Sequence, residues 1–257
     1  GSNPRSTFTR PPLNPLDMFE PTSPADESGL DRAAGLQRVS EFRRHHEGVP
    51  TVVDTGAGIT RLSSLNPSLL QDLMHFDASA RPGEGLEMLE VLAAAVRHSR
   101  ALLLHVEHEH RVIPVTLFPI ERQVHAPLKL KQLLDLSLPD LRVLHVEPAR
   151  INAVDHDKEL SPLGPLLWEL ALRGSRDALL PELAGNVAYR IAPGANLDGL
   201  ALSGSMLAAT TLLRRDTTSL RTISQWQGFD RERAQRMLNG LYLQAALMVS
   251  RTHPAAT

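Results

Sequence analysis

Apolar residues return at every third or fourth position through several stretches of the chain and alternate with polar ones in others. The first helical pattern is Leu30, Ala33, Leu36, Val39 and Phe42, with charges filling the gaps. After Gly48 and Pro50 the run "TVVD" predicts a strand, "TGAG" a turn and "ITRLS" a second strand. "NPSLLQDLMHF" predicts a short helix and "GEGLEMLEVLAAAVRHSR" a longer one. "ALLLHVEH" and "RVIPVTLFP" then alternate as strands, with the polar "EHEHR" turning between them. A helix near 128–136 and a strand in "LRVLHVEPARI" follow. The short stretches "LLHVE" and "VLHVE" echo one another.

From Ser161 the pattern changes. "SPLGPLLWELALRG" and "SRDALLPELAG" predict helices that each close on a glycine. "NVAYRIAP" predicts a strand, and "SMLAATTLLRR", "TSLRTISQWQG" and "DRERAQRMLNGLYLQAALM" predict three successive helices before an extended "LMVSRTHP". This predicts an α+β chain: a mixed α/β sheet domain over 29–155, for sensing or docking, then a mostly helical domain over 156–257. The first 28 residues hold six of the 19 prolines among Ser, Thr and Asn, and are expected to form a disordered arm.

Composition narrows the functional classes. Aromatic residues are only 4% of the chain, so its core must come from Leu, Val, Ile and Ala. The absence of cysteine excludes disulfides and thiolate metal sites. No apolar run approaches the roughly 20 residues that cross a bilayer, which with the lack of cysteine suits a cytoplasmic protein with no membrane partner. The overall charge of −2 is unevenly spread: residues 204–257 carry seven arginines against Asp216, Asp230 and Glu232, a net +4.

In that basic segment Leu220 and Ile223 make an apolar face that ends at Gly228. Asp230 is placed to cap the next helix, on which Ala234, Leu238, Leu241 and Ala245 share a narrow arc. A helix, a turn, a capped second helix and a trailing strand over about 203–252 resemble the winged helix-turn-helix superfamily. That resemblance implies a recognition helix from Asp230, with Arg233, Arg236 and Asn239 toward a partner or DNA, and phosphate contacts from Arg221 and Arg251. Glu232 lies on the same face, and one trailing strand is fewer than a full wing needs. Leu243 and Leu247 continue the Arg236 face as apolar residues, which implies burial on both sides of the helix.

Two further patterns carry chemistry. "VVDTGA" resembles the catalytic loop of retroviral-type aspartic proteases over about ten residues, which implies Asp54, Thr55 and Gly56 as half of a homodimeric site. The simpler reading of the same residues is a hairpin turn, in which Asp and Gly satisfy local backbone geometry. "HVEHEH" offers His105, His108 and His110 as an alternative metal site, although strand alternation puts His105 and His108 on opposite faces. His125 and His145 are placed to join from elsewhere, and "RRHH" at 43–46 reads as surface. No GxGxxG, GKS or GKT loop is present, and no cofactor is expected. The reading that results is a non-enzymatic regulatory or adaptor protein that contacts a protein partner, a second copy or DNA. A protease and a metal sensor are its alternatives.

Overall fold

The computed structural model describes residues 35–53, 65–81, 84–149 and 159–256. The arm at 1–28, the Asp54-Thr55-Gly56 turn and the expected boundary near 155 lie outside these residues.

The frame is an antiparallel sheet in the order β2-β6-β3-β4-β5-β7, with β1 also paired to β4. The strands are β1 (Gln37–Arg38), β2 (Leu86–Glu87), β3 (Leu102–His108), β4 (Arg111–Phe118), β5 (Gln123–His125), β6 (Arg142–Pro148) and β7 (Ser161–Pro162). The β3–β4 hairpin closes through Glu109 and His110, whose φ values of 45° and 65° suit the tight two-residue turns that follow strand twist. Its register pairs Leu102 with Leu117, Leu104 with Val115 and Val106 with Ile113. All six side chains are buried on one face.

That face is covered by helices: α2 (Pro67–Ser79), α3 (Met88–His98), α4 (Leu130–Leu134) and α5 (Leu163–Arg173). Asn66 starts α2, its side chain accepting from the Leu69 N–H at 2.7 Å ahead of Pro67. Seven of the first eight residues of α3 are buried, so this helix is apolar nearly all round, as a core helix must be. The opposite face of the sheet carries α1 (Val39–His45), whose Val39 and Phe42 pack on Val112 with Leu144 against them.

Some of the predicted helices begin later than their apolar periodicity suggests. Four of them are entered directly from a two-residue strand: β1–α1, β2–α3, β7–α5 and, further on, β9 (Thr218–Ser219) into α7 (Leu220–Ile223). The residue before a helix is extended, as in Arg38, Glu87, Pro162 and Ser219. Its free backbone edge is thereby available to a neighbouring strand. The stretch "SRDALLPELAG" contains no α-helix, only a 3-10 turn at Pro181–Leu183. Arg176 takes the carbonyls of Ala178 and Leu179, and Pro181 disfavours helix in the residue before it.

The C-terminal elements are β8 (Ala188–Ile191), α6 (Gly204–Arg215), β9, α7, α8 (Arg231–Leu243) and β10 (Leu247–Ser250). A second antiparallel sheet runs β10-β8-β9, so the central strand comes from upstream of α6. Ala245, expected on the inner arc of α8, lies beyond its end with φ 56° and is exposed.

Residues Leu36–Thr257 form one unit, and α5 joins its halves. Leu163, Leu166, Leu167, Trp168, Leu170 and Ala171 are all buried, between the sheet helices on one side and α8 on the other. At the crossing, a Cβ on Gly240 would stand 2.6 Å from Trp168 Cε3. Arg122 adds a polar clasp from the β4–β5 turn. Its guanidinium donates to the Leu243 carbonyl at the end of α8 and to Gln244 Oε1, while Gln244 donates to the Gly164 carbonyl.

Gly240→Ala separates packing from propensity. An alanine gains up to about 1 kcal/mol as a helix former, but its methyl group collides with the Trp168 ring. Net destabilisation of about 1–3 kcal/mol is expected, read as a lower urea midpoint at unchanged slope. An unchanged or raised midpoint would refute the close α5–α8 contact.

Candidate functional site

Three imidazoles meet beneath α1. His105 of β3 and His145 of β6 are direct cross-strand partners, with ring centroids 5.6 Å apart. His46, just past the end of α1, lies 5.0 Å from His145 and stacks on Phe42 at 3.9 Å. Phe42 also reaches His105, at 4.9 Å. A β-bulge makes this assembly: the register shifts between His105 and Val106, so Leu144 is left over on β6. Leu144 and His145 consequently both reach the side that α1 covers.

Two of the rings, His46 and His145, line a cleft of about 530 Å³ together with Phe42, Leu144, Asp77 and Arg81 among others. This falls within the size range of small-molecule sites. On its wall, Gly85 has φ +75°, and a Cβ there would stand 2.9 Å from the Val143 carbonyl oxygen, so a side chain is excluded.

Burial, and after it the nearby His145 and His46 rings, pull the His105 pKa down to about 4. His145 is also lowered, by burial first and His46 second, with the Pro50 carbonyl opposing. His105 and His145 are therefore neutral near pH 7. His46 Nδ1 lies 2.9 Å from the Phe42 carbonyl and donates its proton there. His105 Nδ1 is buried with no hydrogen-bond partner among the described residues. The cluster offers two neutral imidazoles, His105 and His145, beside an aromatic wall.

The proposed metal trio is not assembled. His105 faces α1, while His108 is buried on the opposite face of the sheet and His110 is exposed in the hairpin turn. Strand alternation is the reason. Among the described residues, no group of three or more ligating side chains is placed to hold a metal ion. His46, expected at the surface from "RRHH", instead belongs to the cluster. The usable signal was the "LLHVE"/"VLHVE" echo, because it puts His105 and His145 at the same position of two neighbouring strands.

The C-terminal candidates separate in the same way. Asn239 is fully buried rather than on the solvent side of α8. Its Oδ1 accepts from the Leu180 N–H and its Nδ2 donates to the Ala178 carbonyl, both at 2.9 Å. Arg236 is held by Glu232 Oε1 at 2.9 Å and by the Gly174 carbonyl. Arg233 is exposed, donates to Ser205 Oγ and lies 5.5 Å over the Phe229 ring. Arg251 donates to the Ala184 and Glu182 carbonyls. Arg221 is exposed on α7, with no hydrogen bond or ion pair to a described residue. Asp230 caps α8 as expected, accepting from the Arg233 N–H at 2.7 Å.

No protein-family model, curated protein or solved structure matches the chain.

The contrast between Asn239 and Arg221 is measurable. Asn239→Ala leaves the buried Leu180 N–H without its partner, at about 1–3 kcal/mol, and takes one of two donors from the Ala178 carbonyl, whose other donor is Arg176. Arg221→Ala should stay within about 0.5 kcal/mol of the parent. Chemical denaturation of both variants tests this, and equal midpoints would contradict the buried role of Asn239.

Proposed function

We infer that the protein is a non-enzymatic regulatory adaptor. Its cleft domain senses or docks a ligand, and its C-terminal module, similar to a winged helix, contacts a protein partner. The order α6, β9, α7, α8, β10 supports this reading, with β8 supplying the strand that a wing would otherwise provide from downstream.

The observation that favours protein over DNA is the burial of α8. Ala234, Met237, Leu238, Asn239, Gly240, Leu241 and Leu243 are all buried, and their directions encircle the C-terminal half of the helix. A recognition helix needs a free face to enter the major groove, and α5 occupies that face. Only the first turn, with Arg231, Glu232 and Arg233, is fully exposed. Its carboxylate repels phosphate. Meanwhile α6 exposes Leu207 and Leu212, 52% and 39% accessible, beside Ala208 and Thr211. That face suits a protein partner, of which a second copy of this chain is the simplest.

Fluorescence anisotropy of a labelled mixed-sequence duplex tests the reading. The intact protein is expected to give no salt-sensitive binding at low or moderate salt. Light scattering should show self-association that Leu207→Asp with Leu212→Asp abolishes. Salt-sensitive duplex binding, lost in Arg221→Ala with Arg233→Ala, would instead establish DNA as the target.

A further inference from the structure

We propose that α1 is an acid-released latch: protonation of the paired His105 and His145 beneath it drives the helix off the sheet, baring an apolar patch and part of the edge of β4.

Attachment of α1 to this face is local. Val39 and Phe42 supply its buried apolar contacts, against Val112 and Leu144, and the Phe42 ring spans the gap to His105. Just ahead of the helix, β1 pairs Gln37 and Arg38 with Val112 and Arg111, and the Val39 N–H donates to the His110 carbonyl at 2.8 Å. Release of α1 therefore uncovers Val112 and Leu144 and unpairs that stretch of β4. An uncovered strand edge beside apolar side chains is a surface other chains can pair with.

Charge in the cluster opposes docking from several directions. A proton on His105 places a cation beside His145 and His46, with the Phe42 ring against it. Around them, α1 contributes Arg43, which bonds to Glu107 Oε2 on β3 at 3.2 Å. β6 contributes Arg142, opposite Glu107, and Glu147, opposite Leu103. The cleft wall contributes Asp77 from α2, and Arg81, which is paired with Glu84. Among the described residues, no carboxylate bonds to any of the three rings, so no anion is positioned to neutralise an imidazolium.

The sign follows from linkage. Both His105 and His145 are lowered in the docked state, so the released state binds more protons. Docking is strongest above about pH 6.5 and weakens as the pH falls toward 4. For His105 alone, moving from about 4 to the ordinary 6.5 favours release about thirtyfold at pH 5. Partial solvent exposure trims this, and a rise of at least about tenfold is expected.

Hydrogen exchange of the intact protein at about pH 7.5 and pH 5, corrected for intrinsic rates, reads the latch directly. Opening of Leu36–Gly48 should increase at least about tenfold at the lower pH, while α8 retains its protection. His105→Gln and, separately, His145→Gln should each reduce the increase to less than about half, because each removes one linked proton. If Leu36–Gly48 responds no more than α8 does, the latch is refuted. It is equally refuted if both glutamine variants keep the full response. The readout is independent of what the C-terminal helices contact.

Discussion

Trp168 lodged against Gly240 is the contact on which the rest of the arrangement depends. A glycine at that position lets α8 approach α5 until the indole ring fills the space a side chain would occupy. The consequence is a helix, α5, buried on two sides at once, part of the sheet's covering layer and part of the floor beneath the C-terminal module. Interiors are close-packed and transmit displacement instead of absorbing it. Motion in one half therefore meets α5 before it meets solvent. The Arg122–Leu243–Gln244–Gly164 clasp acts in the same direction, tying the β4–β5 turn to the end of α8 with charge-assisted bonds.

The same contact decides what the C-terminal helices are free to do. The polar residues that periodicity puts on the outside of α8 are drawn into the joint: Asn239 satisfies two backbone groups of the preceding loop, and Arg236 reaches the Gly174 carbonyl. A single-sequence pattern marks Asn and Arg as solvent-facing because it counts only the helix they stand on. Leu243 already signalled a second buried side, while Leu247, expected on the same helix face, lies past its end in β10; nothing local indicated that α5 would fill that side. The elements themselves were legible, as the β3–β4 hairpin, α2, α3, α6 and the Asp230 cap show. They rest on local periodicity and on capping chemistry. The two-residue strands at helix entrances were not legible, since their pairing partners lie far away in sequence. Nor was the loss of helix across 175–184, where Arg176 and Pro181 override a strong apolar pattern.

The histidine cluster was half legible for a related reason. His105 and His145 stood out by the echo of their strands, yet direct pairing depends on a bulge that no local pattern announces. His46 joined them only through the turn that ends α1. Polar rings so placed do less for stability than aliphatic side chains of similar size, because burial disfavours their charged form and leaves His105 Nδ1 without a partner. The other face of the same sheet is filled mainly by Leu, Val and Ala from α3 and by Leu and Trp from α5, with His108 as its buried imidazole. The two faces thus differ in kind. One is a core of mostly aliphatic side chains, and the other is a light closure over two imidazoles whose charged form burial disfavours. A signal carried by protons has effect only where one part of the fold yields before the rest, and this asymmetry supplies such a place.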